Sequence, residues 1–166
     1  MTNTLATWFA ENLGTLVSAH LLIFLISMIP ILELRGGLIV ASLLHVPMWE
    51  AIPICIIGNI IPVPFILLLI TKIFEWMKKA GILVGFVERL ERRAMSKSTT
   101  IQRYEFLGLV LFVGIPLPGT GAWTGSLIAA LLGVKNRKAV PAVLLGILLA
   151  TVIMCVVSYK ILGRIW

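Results

Sequence analysis

The chain has 166 residues, of which 60% are apolar and 13% are charged, and its mean hydropathy is +1.07. Soluble domains carry about 25% charged residues, so this composition excludes soluble enzymes, nucleic-acid-binding domains and disordered chains. We therefore expect an integral membrane protein without a nucleic-acid partner. The net charge of +7 then bears on topology and on contact with anionic lipids.

Two apolar segments are long enough to cross a bilayer as helices, residues 51–71 and 139–160. Four shorter apolar runs have about half that length and stand in pairs around clusters of helix-breaking residues. We interpret these pairs as two re-entrant helical hairpins, over residues 16–46 and 106–134. The predicted fold is an all-α integral membrane protein in which each half combines one re-entrant hairpin with one transmembrane helix.

An internal repeat supports this division of the chain. A shift of 88 positions aligns Phe24–Gly58 with Phe112–Gly146 without a gap, and ten of the 35 aligned positions are identical. The identical pairs that shape the backbone are Pro30 with Pro118, Gly37 with Gly125, Pro53 with Pro141, and Gly58 with Gly146. This excess over chance indicates a duplication within a single membrane domain, 1–166, with repeat 1 over 16–71 and repeat 2 over 106–160.

The distribution of basic residues predicts the orientation of the two repeats. Eight of the fourteen Lys and Arg residues lie between Lys72 and Arg103, so residues 72–105 are expected to be a cytoplasmic connector at a prokaryotic cell membrane. Each repeat crosses the membrane an odd number of times, so the second repeat must be inverted. Loop 135–138, with three basic residues in four, then lies in the cytoplasm, and loop 45–50, with none, lies outside.

Two segments are expected to lie in the membrane interface as amphipathic helices. Within the connector, residues 73–94 place apolar side chains along one stripe and most charged side chains elsewhere. Gly81 and Gly85 are candidate bends in this helix. The N-terminal stretch around Trp8 and Phe9 is the second interfacial segment.

The first hairpin break carries two charged residues in the motif PILELRGG. Ionisable side chains at membrane depth cost several kcal/mol, so they need a partner, a water-filled cavity or a function. Arg35 is a candidate anion contact and Glu33 a candidate proton- or cation-responsive carboxylate, and Gly36 and Gly37 complete this part of the binding site. The alternative is a structural ion pair that ties the hairpin tip to its surroundings. Pro30 is assigned to the geometry of the break.

The second hairpin break has the sequence GIPLPGTGAWTG, Gly114–Gly125. Proline blocks helical hydrogen bonds and glycine permits left-handed backbone, so the residues assigned to its geometry are Pro116, Pro118, Gly119 and Gly121. Free amides at a helix start favour an anion, so the candidate binding residues beside them are Thr120, Trp123 and Thr124. The alternative is a tight turn that needs the prolines and glycines alone.

Asn59, near the centre of the first predicted span, is a further candidate for the same cavity, although a helix–helix hydrogen bond is the more common role of such a residue. All seven acidic residues are Glu, and Cys55 and Cys155 stand apart in apolar runs. We therefore expect no metal site and no cofactor. No arrangement of Ser, Cys or His suggests nucleophilic catalysis, so the protein is not expected to be an enzyme.

The motif LELRGGLIVA in the first half, together with PLPGTGAWTGSLIAALLG in the second, resembles the small multidrug export proteins of bacterial and archaeal membranes over about Ile29–Gly146. A more distant resemblance is to the DedA superfamily, which has two opposed re-entrant hairpins and includes lipid scramblases and polyprenyl-phosphate translocases. DedA proteins carry an acidic, PxPG-type motif in the first hairpin and arginines in the second. Here Glu33 matches the acid, but PLPG stands in the second hairpin and Arg35 in the first. The resemblance therefore implies the architecture and not the substrate.

The leading hypothesis is a small secondary transporter or flippase with a midplane site between the two hairpin tips. Its amphiphilic substrate is expected to be an anionic lipid or lipid phosphate, and transport is expected to be proton-coupled. The alternatives are proton-coupled export of lipophilic cations, an ion channel, and a non-transporting accessory membrane protein. The expected partners are membrane lipids and a second copy in a homodimer. The small residues expected to allow close helix contact there are Gly125, Ser126, Ala129 and Ala130.

Overall fold

The computed structural model describes residues 18–96 and 99–161, with side chains over 18–96 and 106–159. Within these residues the chain is helical and contains no strand, which confirms the all-α prediction. The helices are α1 (Ala19–Met28), α2 (Glu33–Leu43), α3 (Met48–Ile60), α4 (Pro62–Lys79), α5 (Val84–Met95), α6 (Thr99–Gly114), α7 (Ala122–Leu131) and α8 (Asn136–Cys155), and a π-helical turn, Val156–Ile161, extends α8. The predicted N-terminal interfacial helix lies outside the described residues.

Two stretches of the described chain are long and apolar enough to cross a membrane, Met48–Lys79 and Asn136–Tyr159. The first is longer than the predicted span 51–71, and it consists of α3 and α4, which meet at Ile61. Pro62 is the first residue of α4. Proline has no amide hydrogen for a bond to the preceding turn, and the first position of a helix does not need one. The helix continues beyond residue 71 because Phe74 is buried against the rest of the protein.

The connector, 72–105, contains the end of α4, a turn, α5 and the beginning of α6. Gly81 and Leu83 both have a left-handed backbone in this turn, with φ of 69° and 49°. Gly81 is therefore at a bend, as expected, whereas Gly85 lies inside α5. The face of α5 that packs on the protein contains the buried side chains of Val87 and Ala94.

The backbone repeats with the same 88-residue spacing as the sequence identities. Left-handed or related positive-φ conformations occur at three matched pairs: Ile31 with Gly119, Glu33 with Gly121, and His45 with Gly133. The helices that follow the two breaks, α2 and α7, also end alike. The amide of Val46 donates to the carbonyl of Ala41 and the amide of Val134 to that of Ala129, both at 2.9 Å, the six-to-one bond of a Schellman motif.

Equivalent helices also pack in equivalent pairs, α1 on α3 and α6 on α8. A glycine permits the close approach in each pair. A Cβ atom on Gly58 would lie 2.8 Å from the carbonyl oxygen of Phe24, and one on Gly146 would lie 2.5 Å from Cβ of Val113. Buried side chains of both halves, including Ile23 and Ile147, belong to one apolar core, and this shared core holds the two breaks together.

Gly146→Ala is expected to lower the free energy of unfolding by about 1–3 kcal/mol, because the added methyl group would overpack the contact with Val113. Gly85→Ala is the matched control. Gly85 lies inside α5 with open space around it, so alanine there should stabilise by about 0.5–1 kcal/mol. Thermal unfolding of the detergent-solubilised protein measures both changes, and equal changes would contradict the close packing of α6 on α8.

Candidate functional site

The candidate site lies where the first break, residues 29–32, meets the second break, residues 115–121. Each break separates two helices that contact each other, α1 and α2 at the first and α6 and α7 at the second. Four helix ends therefore come together with backbone amides and carbonyls that the helices themselves leave unpaired. Side chains from the opposite break supply the missing partners.

Glu33, the first residue of α2, binds the amide end of α7. The backbone N–H groups of Ala122 and Trp123 each donate to one of its carboxylate oxygens at 3.0 Å. Its side chain is only 3% exposed, and no residue of α7 or of its N-cap provides a side-chain cap. The Glu33 side chain thus provides the capping hydrogen bonds of α7 from a distant part of the chain. Its negative charge lies at the positive end of the helix dipole.

Gly121 makes room for this carboxylate. It precedes α7 with φ of 130° and ψ of −175°, a conformation that is essentially limited to glycine. A Cβ atom at this position would contact both carboxylate oxygens and would lie 2.7 Å from Cδ of Glu33. The absence of a side chain at Gly121 is therefore a steric condition for the buried cap.

Arg35, also on α2, binds the carbonyl end of α6. Its Nη1 donates to the carbonyl oxygen of Leu117 at 2.9 Å. Its Nη2 donates to the carbonyl oxygens of Ile115 at 3.1 Å and Val113 at 3.2 Å, and to the hydroxyl of Thr120 at 3.1 Å. A positive guanidinium thus meets the negative end of the α6 dipole, and four oxygens surround it.

Trp123 makes the corresponding contact in the other direction. Its indole N–H donates to the carbonyl oxygen of Met28, the last residue of α1, at 3.0 Å. Arg35 and Trp123 are 88 residues apart, so they occupy equivalent positions of the repeat. Each therefore binds the carbonyl end of the helix that precedes the opposite break. We call Glu33, Arg35 and Trp123, with their backbone partners, the crossed caps.

Residues 33–153 match the family model described as "Putative small multi-drug export protein". The match covers more than half of the chain and includes all three side chains of the crossed caps. The chain belongs to this family. Together with the two long apolar helical stretches, membership identifies a membrane protein of a small export family. No curated protein and no solved structure matches the chain.

Four of the predicted binding residues meet at the breaks. They are Glu33, Arg35, Thr120 and Trp123. Glu33 and Arg35 bind backbone groups of the second break and not each other, so the ion pair of the structural alternative is not formed. Thr120 also donates to the carbonyl of Leu117 at 2.8 Å, which stabilises the turn. The prolines and glycines assigned to geometry lie in or beside the breaks.

The remaining predicted residues lie away from the crossed caps or make no contact there. A Cβ atom on Gly36 would meet the side chains of Leu32 and Ile26, and one on Gly37 would meet those of Ser27 and Cys55, so these glycines allow α2 to pack closely against α1 and α3. Thr124 is half-buried, and its hydroxyl has no hydrogen-bond partner among the described residues. Asn59 is 3% exposed on α3, and its Oδ1 atom has no partner there either. No group of three or more metal-binding side chains occurs in the described residues.

An apolar groove lies beside the crossed caps and was not predicted from the sequence. It has a volume of about 430 Å³ and runs between Trp123, Met28 and one side of α4, where Phe65, Ile66 and Leu69 line it. No residue pattern predicts the groove, because its α4 side chains belong to an uninterrupted apolar run, residues 60–70. Only the position of Trp123 against α4 makes a concave surface there.

Most of the small residues expected at a dimer contact pack within the protomer. Gly125, Ser126 and Ala129 are buried, and a Cβ on Gly125 would clash with Val113 of α6. Small residues there let α7 approach its own neighbours closely. The interpretation of this face as a contact with a second copy is therefore wrong for these three residues.

Proposed function

We propose that this chain is a non-enzymatic secondary transporter or flippase that moves an amphiphilic substrate through a site between the two breaks, near the middle of the membrane. The observation that carries the proposal is the arrangement of the crossed caps. Glu33 occupies the amide end of α7 and Arg35 the carbonyl end of α6, and backbone groups hold both. A substrate head group of either sign can therefore replace one side chain at a preformed helix end.

The proposed architecture is an inverted repeat of two re-entrant hairpins, each followed by a transmembrane helix, as the DedA likeness implies. Its support is the set of positive-φ positions that recur 88 residues apart. The basic residues of 72–105 and 135–138 support a cytoplasmic position for these segments, in the proposed setting of a prokaryotic cell membrane. Inverted halves permit alternating access by rocking. In this proposal the crossed caps hold the two halves of the protein together in one state. Their hydrogen bonds break when the halves move apart.

The preferred substrate is an anionic amphiphile such as a lipid or lipid phosphate. Its acidic group would replace Glu33 at the amides of Ala122 and Trp123, where the positive end of α7 favours negative charge. Its hydrocarbon chain would lie in the adjoining apolar groove along α4. Displaced from the amides, the Glu33 carboxylate takes up a proton, and this exchange couples transport to proton movement.

A second candidate is the export of lipophilic cations, and the surroundings of Arg35 favour it. Three backbone carbonyls and the Thr120 hydroxyl lie within 3.2 Å of the guanidinium. Unwound carbonyls of this kind coordinate cations in transporters built from broken helices. A cationic substrate would replace Arg35 there, whereas an anionic substrate would replace Glu33.

Proteoliposome transport distinguishes the two candidates. Wild type, Glu33→Gln and Arg35→Ala are compared with a polyprenyl phosphate, a phospholipid and the lipophilic cation tetraphenylphosphonium, at equal amounts of folded protein. Arg35→Lys keeps the charge without the planar fork. Glu75→Gln, which changes an exposed carboxylate on α4, is the matched control and should transport like the wild type.

For the preferred candidate, the lipid phosphate moves in wild type, and Glu33→Gln and Arg35→Ala slow it at least about tenfold, equivalent to 1.4 kcal/mol. Proton-dependent movement of the cation that stops in Glu33→Gln would instead establish the export of cations. An ion current without saturable transport would favour a channel. Movement of no probe would contradict transport and favour an accessory membrane protein.

A homodimer stays a prediction of this proposal, although the crossed caps already shield the breaks within one protomer. Large apolar side chains such as Phe65 and Val152 are exposed on the two long helical stretches, so they face either lipid or a second copy. Native mass spectrometry in mild detergent tests the dimer, and detection of monomer alone would contradict it.

A further inference from the structure

The amphipathic helix α5 carries a basic cavity that the proposed function does not use. Arg89 and Arg93 stand one helical turn apart and, together with Phe86 and Leu90, line a cavity of about 460 Å³. Residues four apart on a helix project from the same face. Two guanidinium groups therefore border one cavity whose other lining residues in the described chain, Phe86 and Leu90, are apolar.

The positive charge of this cavity is not neutralised within the described chain. Neither Arg89 nor Arg93 has a carboxylate within 4 Å among the described residues, where the ion pairs are His20 with Glu50 and Lys78 with Glu91. The nearby Glu91 is thus already paired, at 2.6 Å from Nζ of Lys78. From Lys72 to Ser96 the chain has six basic residues and three Glu. The cavity is therefore suited to an anion.

Exposed apolar side chains in the cavity and just before α5 point to a membrane ligand. Phe86, which lines the cavity, is 57% exposed, and Leu83, which precedes α5, is 63% exposed, whereas Val87 is fully buried. A helix with apolar and basic side chains exposed together is typical of the membrane interface, where the apolar groups enter the bilayer and the cations meet head groups. A soluble phosphate compound would leave Phe86 and Leu83 without a partner.

We propose that Arg89 and Arg93 bind the phosphate of an anionic phospholipid. The two guanidinium groups donate hydrogen bonds to the phosphate oxygens, and Phe86 and Leu90 contact the first part of an acyl chain. The site anchors α5 to the bilayer next to α7, which it contacts. It is independent of the crossed caps and of any transported substrate.

Native mass spectrometry of the full-length protein in neutral detergent tests the site, with dioctanoyl phosphatidylglycerol as the probe. Arg89→Gln and Arg93→Gln are each expected to weaken its binding roughly tenfold, since each removes hydrogen bonds between charged groups. Arg92→Gln is the matched control, because Arg92 is exposed on the same helix but does not line the cavity. It should change binding less than about twofold.

Three outcomes would overturn the proposal. An equal loss in Arg92→Gln would mean that diffuse charge attracts the lipid. Equal binding of dioctanoyl phosphatidylcholine would mean that the site does not recognise an anionic lipid. Displacement of the lipid by inorganic phosphate at the same concentration would identify a soluble phosphate site. Thermal unfolding identical to wild type verifies that the variants are folded, and transport by the same variants separates this site from the proposed function.

Discussion

Glu33→Ala is expected to lower the free energy of unfolding by about 2–4 kcal/mol, because it leaves one buried and one partly buried amide without an acceptor. These amides belong to Ala122 and Trp123, and both donate to the carboxylate at 3.0 Å. The variant also removes the negative charge at the positive end of α7. Thermal or chemical unfolding in detergent measures the change.

Two variants make this prediction specific. Glu33→Gln keeps one acceptor oxygen, so we expect it to lose roughly half as much stability as alanine, about 1–2 kcal/mol. Glu75→Ala removes an exposed carboxylate on α4 and should change stability by less than about 0.5 kcal/mol. A loss for Glu33→Ala no larger than that for Glu75→Ala would show that the buried cap does not support α7.

Gly121→Ala is the second variant with a large expected effect, a decrease of about 3–4 kcal/mol in the free energy of unfolding. The backbone conformation at this position strains any residue with a side chain by about 1–3 kcal/mol, and the new methyl group would displace the Glu33 carboxylate. Gly133→Ala is the comparison: its φ is 67° and no atom lies within 4 Å of its Cβ position, so it should cost only about 1–2 kcal/mol.

A double-mutant cycle separates the two contributions at Gly121. In the Glu33→Ala background the carboxylate is absent. Gly121→Ala should then lower the free energy of unfolding only by the cost of its strained backbone conformation. We expect a coupling free energy of at least about 1 kcal/mol between the two positions. Additive effects would mean that the alanine methyl group does not meet the carboxylate.

The repeat was the most informative feature of the sequence. Ten identities at a spacing of 88 residues predicted two equivalent segments, and the positive-φ residues and helix ends recur at that spacing. Such features are local, because proline and glycine restrict or extend the backbone whatever surrounds them. Ile31 and Glu33 have positive φ at the first break, as Gly119 and Gly121 have at the second, although neither Ile nor Glu favours positive φ.

The sequence also identified the side chains of the candidate site but not their partners. Glu33 and Arg35 stood out because charges are rare at membrane depth, and Thr120 and Trp123 because a turn does not require them. Apart from the bond between Arg35 and the Thr120 hydroxyl, their partners are backbone amides and carbonyls of Met28 and of residues 113–123. Every residue has such groups, so no residue type marks them in a sequence.

Composition and spacing by themselves determined the helical class, the membrane environment, the breaks and the register of the repeat, because each follows from local propensity or from hydrophobic length. Tertiary structure alone decided what the charges do. Glu33 and Arg35 could have formed a pair with each other, but the packing of α2 against the second break brings them to the ends of α6 and α7. The same packing buried the face of α7 that carries Gly125, Ser126 and Ala129 inside the protomer. Both outcomes depend on how the helices pack, because residues about 80 positions apart in the chain are brought into contact by packing and not by local sequence.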